Sequence, residues 1–380
     1  MTLDMIVRPG LEGVIALDTR LSHIDGQAGE LTIAGFPLEN IAGYATFEEM
    51  LHLLWQDRLP TADELSTFQD GLAQKRMISA PTLNILRAAA EKQLPLMDAL
   101  RMAASTLTLY TESEDPREGS EVLVATFPTI ISAYWRMLQG QEPIAPRTDL
   151  SHSANYLYML DGEAPSPERE RALNTYLNTV IEHGLNASTF AARVIIATHS
   201  DMISAIVGAI GALKGPLHGG APGPALDMVF EIGKPEFAES NIRAKLDGGE
   251  RLMGFGHRVY KVRDPRADVL GTEARRFFAD GEKQDLYALA MHVEQTALRL
   301  LEIYKPGRNL QTNVEFYTAL ILHGIGLPVD LFSPTFAIAR VGGWTAHALE
   351  HLDDGLRIIR PRAGYKGQFD REWVALDQRS

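Results

Sequence analysis

Residues 46–56 read TFEEMLHLLWQ, and the spacing of their apolar members predicts an α-helix. Phe47, Met50, Leu51 and Leu54 recur every three or four positions and so share one face of a 3.6-residue turn. Thr46 and Glu49 stand three apart at its start, the pair in which each side chain takes the other's backbone N–H. Towards the N-terminus the period changes. Residues 11–35 are the only part that reads as strand: 21–24 and 31–33 flank Asp25-Gly26, a turn pair able to take positive φ, which predicts a small hairpin. Towards the C-terminus, Thr61 and Glu64 repeat the capping pair. Ser166-Pro167 opens a segment with Leu173, Tyr176, Leu177, Val180 and Ile181 on one face. Within 202–213, Ser204, Gly208 and Ala212 recur every fourth position and let another helix approach closely, in the core or at a subunit interface. The chain reads as mainly α.

A length of 380 residues suits two unequal domains. Loops rich in Gly and Pro at 215–224, 305–309 and 324–328 bracket a middle segment. We therefore expect a larger helical domain of 1–219 and 326–380 with a smaller helical one, 220–325, inserted into it. Hydrophobic residues at 45% and charged residues at 22% exclude a disordered or fibrous class. The absence of Cys removes disulfides, thiolate metal sites and cysteine nucleophiles. Residues 1–10 resemble neither a signal nor a transit segment, and the expected location is the cytoplasm. The longest apolar run, 202–213, is about half of the roughly 20 residues that cross a bilayer, so no membrane is expected. A net charge of -13 argues against a general nucleic-acid binder and makes any basic cluster informative.

Such a cluster follows His257: Arg258, Lys261, Arg263 and Arg266 fall within ten residues, partly offset by Asp264 and Asp268. It suits a di- or tricarboxylate or a phosphorylated cofactor, because arginine grips a carboxylate through two parallel hydrogen bonds. Of the 11 histidines, His183, His218 and His257 lie near glycines that let a ligand approach the imidazole. Glu315 sits between Val314 and Phe316, a setting able to raise its pKa towards that of a useful base. Arg340 interrupts an apolar run, and Arg360 and Arg362 flank a proline. His347, Glu350 and His351 match the H-x-x-E-H pattern of some zinc hydrolases, a short pattern that needs a structural context before it means metal. No metal is expected, and no phosphate loop or dinucleotide fingerprint is present.

Taken in order, GPLHGG (215–220), GFGHRVYKVRDPRA (254–267), NVEFY (313–317), FAIAR (336–340) and RPRAGY (360–365) resemble citrate synthase in its shorter bacterial and archaeal form. RPGLEGV (8–14), HIDGQAGEL (23–31) and LPTADEL (59–65) extend the resemblance over nearly the whole chain. It implies a mainly α, citrate synthase-like homodimer whose large and small domains close over oxaloacetate and acetyl-CoA, the acyl-CoA being a cosubstrate with no permanently bound cofactor. It further implies that His183, His218, His257, Arg266 and Arg340 surround oxaloacetate, and that Arg360 reaches the partner subunit's site. Glu315 would take the methyl proton, neutral His218 would stabilise the enolate and His257 would polarise the oxaloacetate carbonyl. Hydrolysis of the citryl thioester would then release CoA. Lys261 and Arg263 are assigned to the CoA phosphates on charge and position alone.

The chain departs from the most familiar family pattern at 315, where glutamate replaces aspartate. The added methylene moves the carboxylate by about 1 Å, a shift that costs about a hundredfold in rate unless the backbone compensates. Three other readings stay open: a 2-methylcitrate synthase using propionyl-CoA, a noncatalytic paralogue that binds CoA or carboxylates, and a zinc hydrolase built on His347 and His351.

Overall fold

The computed structural model describes residues 7–109, 115–218, 222–279, 283–355 and 357–379. Thr46 caps α1 (Phe47–Gln56) as its sequence requires: its side chain accepts from Glu49 N, and Glu49 Oε2 accepts from Thr46 N at 2.7 Å. The same box opens α2 (Ala62–Gln74) at Thr61 and Glu64. Helices α3 (Ala80–Glu91), α4 (Leu96–Ser105), α5 (Pro116–Leu138) and α6 (His152–Asp161) follow. Ser166 caps α7 (Pro167–Val180), Asn186 caps α8 (Ala187–Ile196) and Asp201 caps α9 (Met202–Leu213), each through a side-chain oxygen.

The middle segment supplies α10 (Pro222–Ile232), α11 (Ala238–Asp247), α12 (Pro265–Phe277), α13 (Gln284–Tyr304) and α14 (Val314–Gly324). The chain then enters α15 (Phe332–Asp353), which is buried on every face along most of its length and forms the axis of the core. Helices α1, α5, α7, α8 and α9 pack around it. Its two glycines decide how closely α7 can end against it. A Cβ on Gly343 would stand 2.3 Å from Ile181 O and 2.8 Å from Glu182 Oε2, so any side chain there would displace the segment carrying His183. Gly208 has a similar use within the chain, since a Cβ there would meet Ile195 Cδ1 of α8 at 2.2 Å.

The N-terminal hairpin is present but differs from expectation. Strands β1 (Ser22–Asp25) and β2 (Glu30–Ile33) pair antiparallel, and a third strand, β3 (Phe36–Pro37), extends the sheet. The connection is four residues rather than the pair Asp25-Gly26. Asp25 Oδ1 accepts from Gln27 N and Ala28 N, and the positive φ falls on Gly29 (+75°). The aspartate-capped turn absorbs two more residues than a tight hairpin needs. Its tip is pressed into another part of the molecule: a Cβ on Gly26 would lie 2.4 Å from Val259 O, and Lys261 N donates to Gly26 O at 2.8 Å.

Candidate active site

Two glycines shape the loop that carries His257. Gly254 (φ +87°) and Gly256 (φ +80°) take left-handed conformations that favour glycine, and a Cβ on Gly254 would press on Phe316 at 3.1 Å. The loop is zipped onto residues 311–313: Phe255 bridges Thr312, Gly256 N donates to Gln311 O at 2.7 Å, and Asn313 N donates to Gly254 O at 2.9 Å. Asn313 is also the N-cap of α14, accepting from Glu315 N at 2.9 Å, and its Nδ2 donates to Gly256 O at 2.8 Å. One asparagine therefore ties the histidine loop to the first turn of the helix that bears Glu315.

Asp264 makes the second tie. It caps α12, grips Arg266 through Nε at 3.0 Å and Nη2 at 2.8 Å, and accepts from Val314 N at 3.2 Å. Arg266 is thus held charged in a buried setting, with Nη2 3.2 Å from His257 Nε2. Nδ1 of His257 accepts from Val259 N at 3.1 Å and Tyr260 N at 3.2 Å, which leaves the proton of the neutral ring on Nε2. Burial and the Arg266 charge push the His257 pKa down to about 4, so the ring is a neutral donor. Arg266 Nη2 and His257 Nε2 then stand side by side as donors that can share one acceptor, such as a carbonyl or carboxylate oxygen.

His183, just past α7, turns its Nε2 to within 3.0 Å of Tyr260 Oη and sets its ring edge-on to His257, with centroids 6.0 Å apart. Its pKa falls well below the usual value through burial and the charges of Arg266 and Arg340. Arg340 stands on α15 at 2% exposure, donates from Nε to Val180 O at 2.8 Å and lies over the Phe336 ring. Burial pushes it down to about 10, which leaves it cationic at neutral pH. No carboxylate reaches salt-bridge distance of it among the described residues. His218 completes the group: its Nε2 lies 2.7 Å from Ser188 Oγ and accepts from Ser188 N at 3.3 Å, so its proton sits on Nδ1. Burial, with Arg340 adding repulsion, lowers its pKa as well. Glu315 has its pKa raised by burial, with Arg266 pulling the other way and Asp264 adding to the rise. Its carboxylate makes no hydrogen bond to any described residue.

The arrangement sets three neutral imidazoles beside two buried guanidiniums and one unbonded carboxylate of raised pKa. It can hold a small dianion, donate hydrogen bonds to oxygens that gain charge, and accept one proton from carbon. Of the residues read from the sequence, His183, His218, His257, Arg266, Arg340 and Glu315 converge through these contacts and charges. Arg360 does not join them in its own chain. It is exposed on the segment after α15 and lines a cavity of about 940 Å³ with Thr19, Glu350 and His351. Lys261 is exposed beside the loop, its Nζ on Arg258 O at 3.0 Å. Arg263 is already engaged by Asp268 and by Glu294 at 3.2 Å, and its guanidinium lies over Tyr317. The sequence reading missed Tyr260, the anchoring role of Asp264, which it took only as an offset to the basic cluster, and Ser188. The first two lie inside GFGHRVYKVRDPRA, where the aspartate-proline step already signals a helix cap.

Residues 10–362 match the family described as citrate synthase, C-terminal domain. The chain is 38% identical to the citrate synthase of Haloferax volcanii over 98% of its own length and 99% of the relative's. It is 36% identical to 2-methylcitrate synthase 2 of Corynebacterium glutamicum over 98% of each. Among solved structures, citrate synthase from Pyrobaculum aerophilum superposes with a TM-score of 0.87 at 37% identity, covering 98% of this chain and 95% of that one. The Thermoplasma acidophilum enzyme, in ternary complex with carboxymethyl coenzyme A and oxaloacetate, does so at 0.86 and 30% identity, covering 98% and 100%.

Proposed function

The chain belongs to the citrate synthase family, and from that premise we propose that it condenses oxaloacetate with acetyl-CoA and water to give citrate and CoA. One observation supports this reading above the others. Asn313 and Asp264 fasten a proton-donating His257 and an unbonded, proton-hungry Glu315 to the same few residues. An electrophilic carbonyl and a carbon acid must meet across such a pair.

In this mechanism Arg266 and Arg340 hold the oxaloacetate carboxylates, with His183 as a further donor. Glu315 takes a proton from the thioester methyl group. A carboxylate is a weak base for that task, and Nδ1–H of His218 stabilises the enolate oxygen as it forms. A preorganised donor of this kind contributes about 3 to 4 kcal/mol. His257 Nε2–H polarises the ketone as the carbon–carbon bond closes, and water then cleaves the citryl thioester. CoA docks beside the histidine loop, with Lys261 the available cation there and Arg263 mainly a brace for that loop through its two carboxylates.

The division at 219/220 and 325/326 is our proposal for the two domains, and the cytoplasm is the proposed location. No helix among the described residues is long and apolar enough to cross a membrane. The active unit is a homodimer in which Arg360 enters the partner's site. Its support is the exposed tail after α15, which displays Ile358, Tyr365, Phe369 and Trp373 to solvent in a single chain. Arg360→Ala and Glu315→Gln subunits should each be inactive alone and regain activity when mixed, because a mixed dimer holds one complete site. Failure of mixing would place Arg360 outside the partner's site.

The reaction itself is tested by steady-state release of CoA thiol with oxaloacetate and either acetyl-CoA or propionyl-CoA, an assay that no protein cysteine disturbs. Faster turnover of acetyl-CoA is expected. Preference for propionyl-CoA would make the enzyme a 2-methylcitrate synthase, as one relative is named, and no thiol from either would sink the catalytic reading.

A further inference from the structure

The pattern at 347–351 has a use unconnected with zinc. His347 is fully buried, and both of its ring nitrogens are taken. Arg193 donates to Nδ1 from Nε at 3.1 Å and Nη2 at 2.8 Å, while Nε2 lies 3.0 Å from Glu182 Oε1. A guanidinium can only donate, so Nδ1 carries no proton and Nε2–H must donate to Glu182. Behind this, Arg193 pairs with Glu350, whose Oε1 accepts from Arg20 N at 2.8 Å and whose Oε2 accepts from Thr19 Oγ1 at 2.9 Å. Glu182, Arg193 and Glu350 are each at most 3% exposed.

The free end of this chain of contacts is one residue from His183. The same oxygen of Glu182 that receives His347 also accepts from Gly184 N at 2.6 Å and from Ser22 Oγ at 2.9 Å. One carboxylate therefore fixes the residues on both sides of His183, at a point where Gly184 (φ +62°) has left helical geometry. Glu182 stays ionised although burial opposes it, because His347 and Arg340 favour its charge, and it supports the charge of Arg340 in turn. Buried ions in a row cost desolvation that apolar residues of similar volume would avoid. A core with this much aliphatic packing gains little from them as a staple.

We propose that His347, backed by Arg193 and Glu350, is a positioning residue for oxaloacetate binding: it holds Glu182, and Glu182 aims His183. The proposal rests on the reading of His183 as an oxaloacetate ligand. Its donor and acceptor can be kept or removed separately from the ring. Glutamine offers an NH2 donor and an oxygen acceptor at a spacing close to that of the two ring nitrogens, whereas leucine fills the space and offers neither.

The experiment measures the Kd of oxaloacetate by calorimetry without acyl-CoA, and KM for oxaloacetate and for acetyl-CoA separately, in wild type, His347→Leu and His347→Gln. For His347→Leu we expect oxaloacetate binding weakened by about tenfold or more, the equivalent of one buried polar group left unpaired, with KM for acetyl-CoA within about twofold. His347→Gln should recover most of the loss. Parallel loss for both substrates, an unchanged His347→Leu, or a glutamine variant as impaired as the leucine one would each overturn the proposal. If His347→Leu fails to fold, Ser22→Ala removes another donor to Glu182 from the sheet edge. It should weaken oxaloacetate alone by about threefold, and an equal effect on acetyl-CoA, or none, would count against the device. Wild type that binds oxaloacetate yet releases no thiol would end the reaction reading and leave this one standing; wild type that does not bind oxaloacetate ends both.

Discussion

The two halves of the site are built by opposite means. His183 and Arg340 stand on the helical core, fixed by side chains buried with their charges: Arg340 against Val180 O and Phe336, and Glu182 against His347. His257, Arg266 and Glu315 stand on a loop and two helix starts, fixed by backbone hydrogen bonds between 254–256 and 311–313 and by the caps Asn313 and Asp264. The first half is rigid because moving it would strip buried charged groups of their hydrogen-bond partners. The second is rigid within itself and meets the first where α12 and α14 pack against α7, with His183 to Tyr260, Arg171 to Glu273 at 3.1 Å and the hairpin tip to the loop among the links. A half held by buried side chains and a half held by backbone hydrogen bonds can be perturbed one at a time.

The sharpest division comes from Glu315. In the proposed mechanism it is the base, so Glu315→Gln should lower kcat by about a thousandfold while oxaloacetate binding stays near wild type, because general base catalysis is worth about 10² to 10⁴. A fully active Glu315→Gln variant would break the comparison at its centre. Arg340→Leu probes the other half, and it should weaken oxaloacetate by about a hundredfold, the effect of removing a buried charged partner, with a smaller change in KM for acetyl-CoA. Equal effects on both substrates would mean that the halves are not functionally distinct. Gly26→Ala tests their connection. Gly26 has no need of positive φ, so the added methyl acts only by pushing Val259 O and the histidine loop away from β1. A displacement approaching 1 Å should reduce kcat/KM by about ten- to a hundredfold with no loss of the histidine loop's own internal bonds. Full activity would show that the hairpin tip is a bystander.

The same contrast explains what the sequence disclosed. Helices announced themselves because capping and apolar spacing are local: Thr46 with Glu49 and Thr61 with Glu64 needed no knowledge of the rest of the chain. The reacting half was nearly as legible, since GFGHRVYKVRDPRA places glycines, a helix cap and the candidate histidine and arginine close together, and NVEFY sets a cap two residues before Glu315. The binding half was not. His347 reaches Arg193 and Glu182 from 154 and 165 residues further along the chain, and no spacing connects them. Arg263 shows the opposite failure: its charge pointed to an anion, and only packing put Glu294 from α13 beside it. The third strand escaped notice because two residues, Phe36 and Pro37, carry no alternation to read.

The smallest expected effect bears on stability and separates protonation in the two halves. His183 and His218 on one side and His257 on the other all have folded pKa values below the unfolded value near 6.5, His257 at about 4, because burial and the neighbouring arginines resist a second charge. His152, stacked on Phe47 away from the site, is lowered to about 3 by burial first and by the Arg76 charge second. Between those values and 6.5 the unfolded chain binds protons that the folded one refuses, so stability must fall as pH falls through that window and level off above 6.5. Each histidine that stays neutral contributes at most about 1.4 kcal/mol per pH unit. Glu315 has the opposite sign: its raised pKa makes the folded state the better proton acceptor, so protonation there offsets part of the histidine loss. Denaturant unfolding between pH 7 and 4.5 should therefore steepen in Glu315→Gln, which lacks that compensation, and flatten in His152→Leu, which lacks one of the histidines and none of the site. A Glu315→Gln profile flatter than wild type would mean that Glu315 is not held above its ordinary pKa, and the carboxylate would lose its claim to be a poised base.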